Sequence, residues 1–573
     1  TTASNNTGLG YNALAANTTG GSNTAIGAGA LDANTTASFN TAVGTSSLGA
    51  NTDGAYNTAV GEGSLEANTT ADYNTALGWN AGKLITTGEH NTLVGRDAGQ
   101  AGNLSQATLI GGAAGYAMTT ATESVGVGYA ALLSTTTGSS NTSVGWFSMY
   151  ANTTGANNTA VGTRALDANT TASDNVAVGS AALGANTTGA GNTAVGKASG
   201  TNLTTGDSNV AIGMNALETA TTTDNSVAIG YAALASSVAG GNVAIGYTAL
   251  TANTTGTDNV AVGQNALDSN TTGTVNTAVG FNALAANTTA NGNTGLGRKA
   301  LEANTSGANN TAVGADALLS NTTASYNTAV GTGALDANTT ASNNTAVGYA
   351  ALGANTTGVS GVAIGTNAGD LITTGNDNIC IGVQSGSNTV NLTTGSQNIL
   401  IGTFAHTSAA GSGYQYVIGY DAVGSGNDTA TFGHGATDST LSLGGTSWSA
   451  PSDIRYKEDI QDEVVGLNFI NELRPVTFLW KKEKDLPKDH TAYVKDSEER
   501  TMNGKYNHGF IAQEVKEVID RYDLKEGFDM WKEDDADGRQ RIGEGALVPM
   551  LTKAIQELSA KVEDLEKQLN NKE

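Results

Sequence analysis

Few side chains in these 573 residues are of a type that does covalent chemistry, and spacing alone singles out none of them. Cys380 is the only cysteine, so the chain can form no internal disulfide and no cysteine-based metal site. The acidic residues scatter over apparent turns, at Asp32, Glu66, Asp167 and Asp336, and no two form the carboxylate pair that glycoside hydrolysis needs. His508 stands alone, and a lone histidine is more often structural than catalytic. Ser452 and Lys457 lie close together, with Arg455 between them. A serine hydroxyl is a poor nucleophile until a base takes its proton. A lysine serves as that base only where burial or a neighbouring cation lowers its pKa. By residue type alone this stretch reads as a solvated polar linker. Nothing in the sequence calls for a cofactor or a metal.

What precedes that stretch is a repeat. A sentence close to N-T-A-V-G-x-x-A-L-x-A-N-T-T-x-x-x recurs in steps of 17 residues, with an occasional step of 16. Its closing glycine falls at Gly10, Gly27, Gly44 and so on to Gly365 and Gly382. A fixed period of this length means a stacked array, not a globular enzyme. In Asn175-Val176-Ala177-Val178-Gly179, alternation puts Val176 and Val178 on one face and Ala177 on the other. β-Branched residues favour a strand, and the Thr/Val positions are expected to point inward. Leu at the fourth position after many of these glycines (Leu14, Leu31, Leu48) supplies a second inward point. A-N-T-T reads as a turn. One repeat is therefore expected to be two short strands and two turns, one coil of a β-roll or β-solenoid. Coils about 4.8 Å apart make a rod of roughly 110 Å. So thin a core per chain predicts burial against other chains, as a parallel homotrimer.

Aromatic residues align in columns. Tyr11, Trp79, Tyr129, Trp146, Tyr231, Tyr247, Phe281 and Tyr349 each follow a repeat glycine directly. Phe39, Tyr56, Tyr73 and Tyr326 sit five residues before one. Packing between chains is the first expectation for these rings, and stacking on cell-surface sugars the second. The N-T-T turns match the glycosylation sequon many times, and duplication of one turn is the simpler explanation.

Composition changes near residue 450. Residues 1–450 hold 6 basic and 23 acidic residues, whereas residues 451–573 hold 20 and 28. The net charge of −25 disfavours nucleic acid and anionic membrane surfaces as partners. No apolar run approaches the roughly 20 residues that span a bilayer. No signal peptide is recognisable, and Thr1 stands where an initiator Met is absent, which leaves room for an anchoring part upstream.

After Gly382 the spacing loosens to Gly402 and Gly419. Residues 403–450 read as an irregular β neck or cap. Beyond it the sequence is ordinary and globular: a short helix over Leu467–Leu473, a strand over Val476–Trp480, and a strand running into a helix over Gly509–Val515. Leu551, Ile555, Leu558, Val562, Leu565 and Leu569 step alternately by four and three residues, an a/d seam of the coiled-coil kind.

Two resemblances follow. The repeat, as in Asn209-Val210-Ala211-Ile212-Gly213, is similar to the head repeats of trimeric autotransporter adhesins, which implies a trimeric β-roll. The C-terminal stretch resembles the intramolecular chaperone domain of phage tailspikes and tail fibres, the S74 peptidase family. The matching blocks are Ser452-Asp453-x-Arg455-x-Lys457-x-x-Ile460, Leu473-Arg474-Pro475-Val476-x-Phe478-x-Trp480, Gly509 to Val515, and Leu547 to Leu558. The resemblance implies a trimeric chaperone that guides fibre folding and then cuts itself off with a Ser–Lys dyad. It assigns Ser452 as nucleophile and Lys457 as base. The cleavage site is Pro451, Ser452 and Asp453, with the cut expected at the Pro451–Ser452 bond.

The expected architecture is mostly β: a β-solenoid shaft over 1–402, a neck over 403–450, an S74-type chaperone and autopeptidase domain over 451–546, and a coiled-coil helix over 547–573. The expected function is a virion tail fibre or spike that attaches to the host surface, with no turnover enzyme in the shaft. Its expected partners are itself as a homotrimer, a host glycan or protein receptor, and upstream virion tail proteins. A bacterial or prophage-encoded surface adhesin built on the same chaperone module is the alternative reading, and a polysaccharide-degrading spike a third.

Overall fold

The β-branched threonine and valine on either side of alanine favour an extended backbone, and glycine after them lets the chain turn. Each N-T-A-V-G segment accordingly forms a strand of three residues. The computed structural model, which describes residues 2–435, 437–444, 454, 457–488, 492–524, 530–533 and 540–572, shows the series from β1 (Thr7–Leu9), β2 (Thr24–Ile26) and β3 (Thr41–Val43) to β24 (Ile399–Ile401). Each strand pairs in parallel with the next, one repeat on, as in Thr41↔Thr58, Ala42↔Ala59 and Val43↔Val60. This is a β-solenoid. The stacking continues past residue 402 through β25 (Gln415–Ile418) and β26 (Thr429–His434). It ends on β27 (Thr437–Ser442), which folds back antiparallel on β26.

Two expectations are corrected. Each coil carries one strand, not two, because the A-L-x-A-N-T-T half of the repeat is a chain of turns. The strand also faces the other way. Ala42, Ala177 and their equivalents are fully buried, whereas Val176 and Val178 are only half-buried. A single 17-residue coil encloses a narrow interior. The methyl of Ala fills the strand side of it and Leu48, Leu65 or Leu166 the turn side, all fully buried. The β-branched positions form an outward stripe. Ile26, Leu77, Ile110, Ile212, Leu296 and Ile364 on it are between 37% and 48% exposed.

The turns take an unusual path. In the coil of Gly44, Ser46 (φ 57°) and Leu48 (φ 52°) are left-handed, a state that costs an ordinary residue about 1–2 kcal/mol. That path sends backbone groups alternately up and down the rod. Ser46 N–H donates to Ala28 O of the preceding coil at 2.9 Å, and Leu48 N–H to Ser64 O of the following coil at 3.0 Å. Asparagine satisfies what remains. Asn23 Oδ1 accepts from Asn40 N–H at 2.9 Å, and Asn40 Nδ2 donates to Gly54 O at 2.8 Å. A second ladder links Asn51 Nδ2 to Asn34 Oδ1 at 3.1 Å. Asn34, Asn40 and Asn51 are fully buried and form rungs of the stack, so the amide of the Asn34-Thr35-Thr36 turn is closed to modification in the folded shaft.

The closing glycines have a specific task. Gly213 has φ 130°, and a Cβ there would lie 2.4 Å from Gly230 O of the next coil. Gly213→Ala is expected to destabilise the shaft by about 3 kcal/mol, from backbone strain plus overpacking. Gly333→Ala, where φ is 65° and no atom lies within 4 Å of the added methyl, is expected to cost only about 1 kcal/mol. Thermal unfolding of the two variants checks this; equal shifts in Tm would contradict the packing account.

Candidate functional site

The chain divides into two compact units, Thr1–Pro451 and Ser452–Glu573. Of the residues expected to carry chemistry, Pro451, Ser452 and Asp453 lie outside the described residues, as does Arg455. Lys457 is described. It is exposed, and its backbone N–H donates to Ile454 O at 3.1 Å.

The remainder of the C-terminal unit is built from the stretches singled out in the sequence. Helix α1 (Leu467–Glu472) leads into β28 (Val476–Phe478). Strand β29 (Asn507–Gly509) pairs antiparallel with β28, setting Val476 opposite Gly509 and Thr477 opposite His508. Helix α2 (Ala512–Arg521) starts three residues after β29. The Arg474 guanidinium clamps Glu514, in the first turn of α2, at two points. Its Nε–H···Oε2 bond is 2.8 Å, and a second Arg474 nitrogen donates to Glu514 Oε1. That pairing holds the Glu514 carboxyl below the usual carboxylate range. The clamp joins two of the matching blocks, so their separation in sequence closes in space.

Beneath it lies an apolar core of Phe469, Val515, Val518, Ile519 and Met530. Phe469 meets Tyr522 edge-on at 5.3 Å between ring centroids, and Tyr522 Oη–H donates to Glu472 Oε1 at 2.9 Å. Helix α3 (Val548–Asn570) adds Met550 to this core and also buries Ala554. Its Glu557 accepts the N–H of Leu467 at 3.0 Å, placing a carboxylate at the N-terminus of α1.

The seam of α3 is largely uncovered, with only its first residue, Leu551, turned toward the rest of the unit. Leu551, Ile555, Leu558, Val562, Leu565 and Leu569 are between 41% and 68% exposed. An amphipathic helix packed on its own domain would bury these positions. Leu558→Asp together with Leu565→Asp is therefore expected to leave this unit folded, because neither side chain contributes to its core. Far-UV circular dichroism that collapsed in the double variant would contradict this.

An apolar groove of about 600 Å³ opens beside β28, lined by Leu473, Pro475, Val476, Phe510, Leu547 and Leu551. His508 stands at its rim and is engaged with Thr477, Oγ1 to Nδ1 at 3.3 Å, in keeping with a structural role. Among the described residues no group of three or more His, Cys, Asp or Glu is placed to hold a metal ion. Among them too, no helix is long and apolar enough to cross a membrane.

The second, third and fourth blocks thus assemble into one small α+β unit, which follows the solenoid in sequence. Residues 452–524 match the Peptidase_S74 family model, described as the chaperone of endosialidase. The matched segment includes α1, β28, β29 and α2, and α3 lies beyond it. No curated protein and no solved structure matches the chain.

One surface feature escaped the sequence reading. The column of rings directly after the glycines was visible, but the meeting of Trp146 with Phe147 and Tyr150 was not. The signal was present: in the coil of Gly145, the first, second and fifth positions after the glycine are all aromatic, which occurs in no neighbouring coil.

Proposed function

We propose that this chain is a virion tail fibre or spike whose solenoid attaches to the host surface, and that its C-terminal domain folds and trimerises the shaft and then cuts itself off. The observation that carries the reading is the succession of a long β-solenoid and, directly after it, a chaperone-of-endosialidase segment starting at residue 452. Two surfaces favour self-association. The shaft presents its outward Val/Ile/Leu stripe along its length, and α3 presents its exposed seam. Uncovered apolar stretches of this extent mark interaction sites.

Cleavage follows from Ser452 and Lys457 in the roles the family resemblance gives them. The Ser452 hydroxyl oxygen attacks the Pro451 carbonyl carbon while Lys457 Nζ takes its proton. That proton passes to the Ser452 nitrogen as the C–N bond breaks, leaving an ester that water hydrolyses. Separation has a physical use. While tethered, the chaperone remains at high effective concentration on the shaft, and cutting makes the contact bimolecular, so it can dissociate.

Expression of residues 1–573 tests the reading. Intact mass spectrometry should find residues 1–451 and 452–573 as separate polypeptides, and the larger should adsorb to host cells. A single uncut chain removes the peptidase, and a shaft that adsorbs to no cell removes attachment. A surface adhesin on a bacterium, using the same module, differs in what precedes Thr1, and a virion-attachment domain there would exclude it.

A further inference from the structure

The rings of the shaft fall into two geometries. Phe39, Tyr56, Tyr73 and His90 form a ladder, with centroids 4.9–5.2 Å apart and planes within 8° of parallel. Rings stacked in this way cover one another's faces and hold successive coils together. The second group, in the coils of Gly128 and Gly145, is arranged edge to face. Trp146 meets Phe147 at 4.2 Å and 86°, Phe147 meets Tyr150 at 4.9 Å and 63°, and Tyr129 meets Phe147 at 5.8 Å and 80°. Tyr129, Trp146 and Tyr150 remain 49%, 45% and 38% exposed. Arg164 from the next coil lies 5.5 Å from the Trp146 centroid.

The fold does not require this group. At the same first, second and fifth positions the following coil carries Thr163, Arg164 and Asp167, and the one after it Ser180, Ala181 and Gly184, and both form the same strand and turns. Perpendicular rings leave aromatic faces open to solvent. Such faces receive the C–H face of a pyranose, as they receive other flat partners, and the Arg164 guanidinium adds donors for hydroxyl oxygens. Charge selects among sugars. Residues 1–450 hold 23 acidic against 6 basic residues, so an anionic polymer is repelled along the shaft.

We infer that Tyr129, Trp146, Phe147, Tyr150 and Arg164 form a binding site for an uncharged polysaccharide of the target surface. The inference rests on the attachment reading above and gives it a location and a ligand class.

The test passes the full-length chain over immobilised mannan, dextran and galactan, with polygalacturonate as the anionic comparison. The chain should be retained on at least one neutral polymer and not on polygalacturonate. Trp146→Ala and, separately, Tyr150→Ala should weaken retention at least tenfold. Trp79→Ala, which removes a ring from the same column outside the group, should change it less than twofold. Retention on none of the neutral polymers overturns the site, as does equal retention of the Trp146 and Tyr150 variants. A fall in sedimentation mass in Trp146→Ala also overturns it, by making the group a contact between chains. Adsorption to host cells is scored separately: adsorption that survives in Trp146→Ala sinks this site and leaves attachment standing.

Discussion

Ser452→Ala should leave the chain whole, at 573 residues, where the natural sequence should yield two polypeptides. The expected effect is all-or-none, because the proposed cut has a single nucleophile and removing its oxygen removes the bond-forming atom. Lys457→Ala should do the same, since without a base the hydroxyl keeps its proton. The shaft of both variants should still fold, because folding in this account precedes cleavage. Denaturing electrophoresis with intact mass spectrometry reads the result. Cleavage persisting in Ser452→Ala would move the nucleophile elsewhere. Cleavage absent from the natural sequence as well would leave a chaperone without a peptidase.

The second large effect concerns register. A chain stopped after residue 450 keeps every coil of the shaft and loses the domain proposed to align three copies. The repeats are nearly identical, so sliding one chain past another by a whole coil gives up only the contacts of the terminal coils. Nothing within the shaft separates the correct alignment from its neighbours by much, and pairing between distant segments is slow. Chains that associate out of step leave unpaired coils at their ends, and exposed strand edges recruit further chains. The truncated protein is therefore expected to be mostly insoluble or to sediment as a broad distribution. A soluble, sharply sedimenting species in yield equal to the full chain would mean that the shaft aligns itself.

The sequence made the period of the array and the place of its strands readable, because T-A-V and the glycine after it each carry a backbone preference. It did not show which side of the strand is the interior. Alternation places Ala42 opposite Thr41 and Val43 whichever way the strand faces, and the usual preference for burying the larger side chain pointed the wrong way. Only the width of a 17-residue coil decides for Ala. The single strand per coil was hidden for a related reason. Left-handed Leu48 or Leu65 runs against every local propensity, and is held there by bonds to coils on either side. In the C-terminal unit, the helical seam of Leu551 to Leu569 was legible from spacing, whereas its exposure is a property of the packed unit. The reading of Ser452 came from resemblance, since Ser452 and Lys457 alone look like solvated linker. The ring group around Trp146 was legible only as a departure from the repeat, and repeats are more readily read for what they share.

Sedimentation equilibrium of the larger polypeptide, freed of its C-terminal domain, bears most directly on the account. Three chains joined along the outward Val/Ile/Leu stripe should remain together after the chaperone leaves, giving three times the mass of residues 1–451 across a wide range of concentration. A mass equal to one copy of residues 1–451 would show that the stripe stays in water, and would contradict the assembly proposed for both the shaft and its chaperone.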